Sequence, residues 1–305
     1  MRPYIVLVAI LFSISSIHSA SAGTAVEVDD VGASFGGITL NTNTSGNITS
    51  NLTDLPSIVE YYTATWCTNC VYVEHALDDI ENNGTNIQQF HFHRDQDSED
   101  PWGTTTGEAR WDNRYDGGQP PTVVFNGSMK QVGSVPESDS LENDYIALAG
   151  QSLNLGLGSS SMTWVSTTNS TGVFTWSISH SEDLVPEGGD LVSMVWITER
   201  YAYFPDGSNG VENYPHVVKG IIELGNSSVG TMNLTLPDAH DGNDLQIHLI
   251  HQIVPPEIID DCEVTDDCIS EPKVAEDDKG LPSIGIVAVL SVSIIAAITT
   301  QRRLE

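Results

Sequence analysis

The chain has 305 residues, and its 42 acidic side chains against 11 basic ones give a formal net charge of −31 at pH 7. A surface this negative repels a phosphate backbone, which argues against any nucleic-acid partner. The length allows two ordinary domains with accessory segments, and four cysteines are too few for a disulfide-rich scaffold.

Residues 1–22 have the layout of a secretory signal peptide. An apolar run from Tyr4 to Phe12 follows Arg2, and Ala20-Ser21-Ala22 forms a small-residue cleavage site. We therefore expect the chain to be exported. Residues 23–54 are rich in Thr, Asn, Ser and Gly and are predicted to be a flexible linker. Sequons for N-glycosylation begin at Asn43, Asn47, Asn51, Asn83, Asn126, Asn169, Asn226 and Asn233.

A mixed α/β layer is predicted over residues 55–150. Ser57 to Thr63 has the β-branched and aromatic composition of a strand, and so has Ile87 to His93. A helix is expected between them, because the apolar residues there recur at roughly helical spacing. A second helix, a strand pair around the Asn126-Gly127 turn signal and a closing helix complete the order β-α-β-α-β-β-α.

The second half of the chain predicts a different layer and a membrane anchor. Short strands separated by turn residues predict a β-sandwich over residues 158–254, followed by an acidic stalk over 255–280. Residues 281–300 form an apolar run that matches a bilayer core of roughly 30 Å. Because Arg302 and Arg303 follow, we expect a single-pass helix in the cell membrane with the body outside and a short tail inside. The LPSIG stretch also resembles an LPxTG sorting motif, so processing of the anchor stays open.

The stretch TATWCTNC places Cys67 and Cys70 where the first predicted strand runs into the first predicted helix. A helix N-terminus lowers a thiol pKa, and a second thiol three residues on can resolve a mixed disulfide. The pattern favours a redox couple in which Cys67 attacks and Cys70 resolves. A structural disulfide stays open as an alternative. A zinc site that adds His91 and His93 is disfavoured, because no second C-x-x-C exists.

The other two cysteines, Cys262 and Cys268, enclose five residues in the predicted stalk. In an oxidising compartment we expect them to form a local disulfide. Intermolecular pairing, or a relay that passes electrons to Cys67 and Cys70, stays open.

The segments VEYYTATWCTNC and QPPTVVFNG resemble two motifs of the thioredoxin-like family, over roughly residues 52–150. The resemblance implies a thioredoxin-like fold, a cis bond before Pro121 on the substrate side of the site, and Trp66 shielding the dithiol. It implies no metal and no cofactor. The strands that follow are similar to an immunoglobulin-like module of secreted proteins.

Three departures from that family concern the site. Tyr61 stands where many members carry a buried acid, and Glu60 replaces that acid as proton relay only if the strand bulges. Pro120 has no backbone N–H to offer a bound peptide. The dipeptide Thr68-Asn69 matches no well-known oxidase or reductase, so the direction of electron flow stays open.

The expected fold class is an α/β thioredoxin-like domain plus an all-β sandwich domain, with an N-terminal signal peptide and a C-terminal transmembrane helix. The expected function is a membrane-anchored thiol-disulfide oxidoreductase that acts on protein thiols and disulfides outside the cytoplasm. The alternative is a surface binding or structural protein whose disulfide is never turned over. The substrate, the redox partner and any ligand of the sandwich stay open.

Overall fold

The computed structural model describes residues 23–28, 31–94, 99–151 and 153–256, all within one compact unit. Strands account for 44% of these residues and helices for 17%, so β-structure dominates. The strands are β1 (Val26–Glu27), β2 (Ser34–Asn41), β3 (Gly46–Asn51), β4 (Ser57–Thr63), β5 (Ile87–His93), β6 (Thr122–Phe125), β7 (Met129–Val132), β8 (Ser159–Ser166), β9 (Thr171–Ser179), β10 (Asp190–Tyr203), β11 (Asn213–Gly225), β12 (Val229–Thr235) and β13 (Leu245–Val254). The helices are α1 (Cys70–Asn82), α2 (Thr105–Tyr115) and α3 (Leu141–Ala149), with 3-10 turns at Leu52–Asp54 and Glu182–Leu184.

Nine of the strands form one mixed sheet in the order β1-β7-β6-β4-β5-β11-β10-β13-β2. The parallel pair β4–β5 and the antiparallel pair β4–β6 belong to the first half of the chain. β5 then pairs in parallel with β11, with His91 opposite Val217, and β11 continues into β10 and β13. A single sheet therefore joins strands that the sequence assigned to two domains.

This continuity makes the predicted fold class wrong: an α/β thioredoxin-like domain beside a separate sandwich is not what the chain forms. The individual strands β4 and β5 lie where they were expected. Periodicity shows that a segment is a strand but does not show its partner. The edge of β5 is satisfied by a strand more than a hundred residues away, and an unpaired edge is a liability for a folded chain.

The remaining four strands form a second sheet in the order β12-β9-β8-β3. Its inner face carries Trp164, Phe174 and Trp176, which pack with Ile247 and Leu249 of the large sheet. Apolar and polar residues alternate along β8 and β9, as expected for strands with one buried face. This second core explains the sandwich-like pattern in the sequence.

Helices cover both faces of the large sheet around β4. Val59 and Tyr61 point into a cluster with residues of α1 and α3, whereas Ile58 and Tyr62 point into a cluster with Trp111 of α2. Because both faces are buried, β4 does not alternate between apolar and polar residues, and its one charged side chain, Glu60, is buried as well. The chain leaves this buried strand directly into the cysteine motif.

The predicted linker and terminal segments have different outcomes. Residues 34–41 and 46–51 form β2 and β3, so the predicted flexible linker over residues 23–54 is corrected to sheet structure. β2 pairs with β13 and β3 pairs with β8, which places both strands in the two sheets. The predicted signal peptide, stalk and anchor lie outside the described residues. Within the described ranges, no helix combines the length and apolar character needed to span a membrane.

Candidate functional site

Cys67 and Cys70 form a disulfide with their Cα atoms 5.3 Å apart, which confirms the expected pairing. The chain turns between the end of β4 and the start of α1. The Cys67 N–H donates to the Ala64 carbonyl at 3.0 Å, and the Cys70 N–H donates to the Cys67 carbonyl at 3.1 Å. α1 begins at Cys70, so Cys67 lies in the turn that precedes the helix.

The disulfide is largely covered. Cys67 is 6% exposed and Cys70 is 1% exposed, whereas Thr68 and Asn69 between them are exposed. Trp66 is half-buried and packs against the same apolar cluster as both cysteines. Its indole Nε1 is buried and makes no hydrogen bond within the described residues. Cys67 is therefore the more accessible of the two cysteines, and shielding of the disulfide by Trp66 stays a prediction.

Pro121 lies beside the end of β4. The Pro120–Pro121 bond is cis, as the motif resemblance implied. β6 runs antiparallel to β4 with Thr122 opposite Tyr62, which places Pro121 level with the turn that leads to Cys67. The Pro121 carbonyl accepts the Gly133 N–H at 2.8 Å. The two sequence motifs therefore lie side by side at the same end of the paired strands β4 and β6.

Two distant segments hold the turn before Cys67. One Asp100 carboxylate oxygen accepts the Thr65 N–H at 2.9 Å and lies 2.8 Å from His93 Nδ1. The Asn209 N–H, from the loop between β10 and β11, donates to the Thr65 carbonyl at 3.1 Å. The position of the turn thus depends on β5 and on the strands of the second half of the chain.

Glu60 does not face the disulfide. β4 does not bulge in its pairing with β5 and β6, so the Glu60 side chain points to the face opposite Tyr61. Its carboxylate binds Arg110 Nε at 2.6 Å and accepts from the Tyr115 hydroxyl at 2.6 Å. Burial is the largest single influence and acts to raise the Glu60 pKa. The Arg110 charge and hydrogen bonds, the Arg114 charge and the Tyr115 hydrogen bond together outweigh it, so the net pKa is lowered. The proton-relay role considered for Glu60 does not fit this position.

Glu74 is a candidate site residue that the sequence analysis missed. It follows Cys70 by four residues on α1 and is only 6% exposed. Burial, and then the Asp78 carboxylate, raise its pKa to about 8, with no described hydrogen bond or cation opposing them. The carboxyl is therefore mainly protonated at neutral pH. The spacing of four from Cys70 was the available signal.

Helix geometry places the buried Glu74 side chain on the disulfide side of the sheet. Residues four apart on a helix are neighbours, and helical side chains lean toward the preceding turn, here the turn of Cys70. The Tyr61 hydroxyl donates to the Cys70 carbonyl at 2.7 Å. Burial first, and Glu74 second, raise the pKa of Tyr61 and of Tyr214. The Glu74 charge therefore acts on the pKa of both tyrosines.

The histidines considered for zinc are occupied elsewhere. His91 Nε2 lies 3.1 Å from Gln89 Oε1, and its ring packs edge-on against Tyr61. His93 packs edge-on against Trp102 and contacts Asp100. Cysteines joined in a disulfide offer no thiolates to a metal. The zinc alternative is therefore not supported at Cys67 and Cys70.

Two other groups of potential ligands lie in the described residues. Asp78, Glu81 and His216 approach one another, but the Gln89 amide donates to both carboxylates. Glu199, Asp241 and Asp244 form the second group, in which the Glu199 carboxylate accepts the His240 and Asp241 N–H groups. We assign no metal to either group. Cys262 and Cys268 lie outside the described residues, so their pairing stays a prediction.

Comparison with known proteins adds little to this geometry. No family model matches the chain, and no curated protein matches it in sequence. HBP35 of Porphyromonas gingivalis is similar in structure with 15% identity and a TM-score of 0.46, over 70% of this chain and 80% of that one. At that score the likeness supports no conclusion on fold or function. The thioredoxin-like resemblance of the two motifs stays a prediction.

Proposed function

We propose that the protein is a thiol-disulfide oxidoreductase that acts on protein thiols and disulfides through Cys67 and Cys70. The observation that carries the proposal is the disulfide at the start of α1 together with the buried Glu74 carboxyl, which follows Cys70 by one helical turn and has a pKa raised by burial to about 8. A structural disulfide needs no acid beside it, whereas thiol exchange needs a proton at the resolving cysteine. Export and membrane anchoring, inferred from residues 1–22 and 281–300, form part of the proposal.

The first exchange step starts from the disulfide. A substrate thiolate attacks Cys67 Sγ, so a substrate–Cys67 bond forms as the Cys67–Cys70 bond breaks. Cys70 leaves as a thiolate and takes the proton of Glu74, which becomes a carboxylate. A second substrate thiolate then attacks the substrate sulfur and releases the Cys67 thiolate. The substrate dithiol is oxidised to a disulfide, and the protein disulfide is reduced to a dithiol.

The same groups serve the reverse direction. The Cys67 thiolate attacks a substrate disulfide, and the Glu74 carboxylate takes the Cys70 proton as Cys70 attacks Cys67 Sγ. Proton transfer is most efficient when the group's pKa lies near the working pH, and a pKa of about 8 meets that condition. A partner of the opposite redox state, a protein dithiol or disulfide, completes the cycle.

Trapping tests the proposal directly. In a Cys70→Ser variant the reduced Cys67 has no resolving thiol, so a disulfide-bonded protein substrate should stay attached as a mixed disulfide. The matched Cys67→Ser variant should trap far less, because Cys70 is 1% exposed. The adduct is seen as a mass shift that a reductant removes. Equal failure of both variants to trap substrate would contradict the proposal.

A second candidate function is a surface scaffold with a permanent disulfide. The burial of both cysteines favours it, since a covered disulfide is hard to attack. The two functions differ in reduction potential. A structural disulfide has a potential below about −300 mV, whereas the exchange mechanism requires a value within reach of protein dithiols, about −270 to −120 mV. Equilibration with glutathione and dithiothreitol buffers measures the difference.

A further inference from the structure

We infer that the outer face of the small sheet, formed by β12, β9, β8 and β3, is a site of N-linked glycosylation. The inference shares with the proposed function only the export of the chain, and it is independent of the redox chemistry. None of these four strands contains an acidic or basic residue, although the whole chain carries a net charge of −31. The exposed face carries hydroxyl pairs, with Ser161 Oγ 2.7 Å from Ser177 Oγ and Thr175 Oγ1 3.0 Å from Thr231 Oγ1, beside the exposed apolar side chains of Val165 and Val229.

The sequons are concentrated at the two edges of this sheet. Asn47 and Asn51 lie on the edge strand β3, and Asn233 lies on the opposite edge strand β12. All three are exposed, and the central strands β8 and β9 contain no sequon asparagine. Three more exposed sequons lie in the turns next to these strands, at Asn43, Asn169 and Asn226.

Edge protection gives this placement a physical reason. Edge strands expose unpaired N–H and C=O groups that pair with other chains, and charged side chains on the edge are one of the devices by which proteins prevent this pairing. Neither β3 nor β12 has a charge to do so. A bulky polar glycan on each edge strand prevents edge-to-edge pairing by steric exclusion. The same glycans would keep an uncharged Ser/Thr face soluble.

The fold also separates usable sequons from an unusable one. Asn126 is 7% exposed, its Oδ1 accepts from Ser57 Oγ and the Ile58 N–H at 2.9 Å, and its Nδ2 donates to the Gln151 carbonyl. A glycan has no room there. Asn83, at the end of α1, is exposed but lies away from the small sheet. The chain therefore contains a buried control and an exposed control.

The modification is a group transfer from a lipid-linked oligosaccharide diphosphate. The Asn Nδ2 forms a bond to the anomeric carbon, the bond from that carbon to the diphosphate oxygen breaks, Nδ2 loses one proton and the lipid diphosphate leaves. The modified amide keeps one N–H. Asn51, whose Nδ2 donates to Asp54 at 2.7 Å, can therefore retain that contact after modification.

Glycopeptide mass spectrometry of the full chain, recovered from the membranes of its own organism, tests the inference. We expect glycan mass on β3 and β12, at Asn47, Asn51 and Asn233, and none at Asn126. Each single Asn→Gln variant of the three should lose one glycan. The triple variant N47Q/N51Q/N233Q should elute as larger species than the wild type on size exclusion, whereas N83Q should elute as the wild type does.

Three results would overturn the inference. They are modification of Asn126, modification of Asn83 without either edge strand, and a chain that carries no glycan at all. Each result is read by mass and is independent of thiol reactivity. Failure of this test therefore leaves the oxidoreductase proposal standing, and failure of the trapping test leaves this one standing.

Discussion

Replacing Glu74 with glutamine should change both stability and exchange rate in a pH-dependent way. The carboxyl has a folded-state pKa of about 8, against an ordinary value of 4.5. At about 1.4 kcal/mol per pH unit, burying the ionised form costs on the order of 5 kcal/mol. Between pH 4.5 and 8 the folded protein holds a proton that the unfolded chain has lost. The Glu74 contribution to stability is therefore greatest below pH 4.5 and is lost as the pH rises through 8.

Glu74→Gln removes that loss, because the amide cannot ionise. We expect the free energy of unfolding of the variant to change less than that of the wild type between pH 5 and 9. The difference should be up to a few kcal/mol in urea titrations. Asp79→Asn is the matched control on the exposed side of α1 and should leave the pH dependence as it is. Asp78→Asn should lower the Glu74 pKa, because the Asp78 charge helps to raise it.

The exchange rate gives the second measurement. If Glu74 transfers the Cys70 proton, the variant should react more slowly by roughly 100-fold, within the range of general acid–base catalysis. The inflection near pH 8 should disappear from its pH–rate profile. A Glu74→Gln protein with wild-type rates and an unchanged profile would refute the assignment, whatever its stability. If the free energy of unfolding of Glu74→Gln had the same pH dependence as that of the wild type, the buried, ionisable carboxyl itself would be refuted.

Three further predictions concern the framework. Burial lowers the pKa of His251 to about 3, so between pH 6.5 and 3 the unfolded chain binds a proton that the folded protein does not. The free energy of unfolding should therefore fall by roughly 1.4 kcal/mol for each pH unit as the pH drops from 6.5 to 3. His251→Gln should reduce this fall, as measured by acid unfolding followed by circular dichroism. Arg110→Ala leaves the Glu60 carboxylate buried without its partner and should cost about 3–5 kcal/mol in urea unfolding; a loss under 1 kcal/mol would contradict the ion pair. Gly172→Ala places a methyl group against the Trp164 ring and should lower stability by about 1–3 kcal/mol, whereas an unchanged melting temperature would show that the ring moves freely.

The sequence predicted the local features of the site because local physics determines them. The composition of Ser57–Thr63 indicated a strand, and β4 has these bounds. The spacing of Cys67 and Cys70 indicated a close pair at a strand–helix junction, and the disulfide lies there. Strand alternation also placed Glu60 on the face away from the cysteines, as the structure shows.

Helix phase alone could have identified Glu74 as a neighbour of Cys70, but not as a buried acid. α1 carries acids at several positions, and the sequence does not show which of them another element covers. Asp79 is exposed, whereas Glu74 is buried, and its charge acts on the pKa of Tyr61 in β4 and of Tyr214 in β11.

By itself the sequence determined the helices, the strands from β4 to β13 and the chemistry of single motifs, because these depend on residues close along the chain. Only the tertiary structure decided that β5 pairs with β11, that residues 34–51 join the two sheets, and that Glu74 is buried. Any strand edge can accept hydrogen bonds from any other strand, so pairing depends on how the whole chain buries its apolar surface. The predicted fold class, an α/β domain beside a separate sandwich, was wrong for that reason.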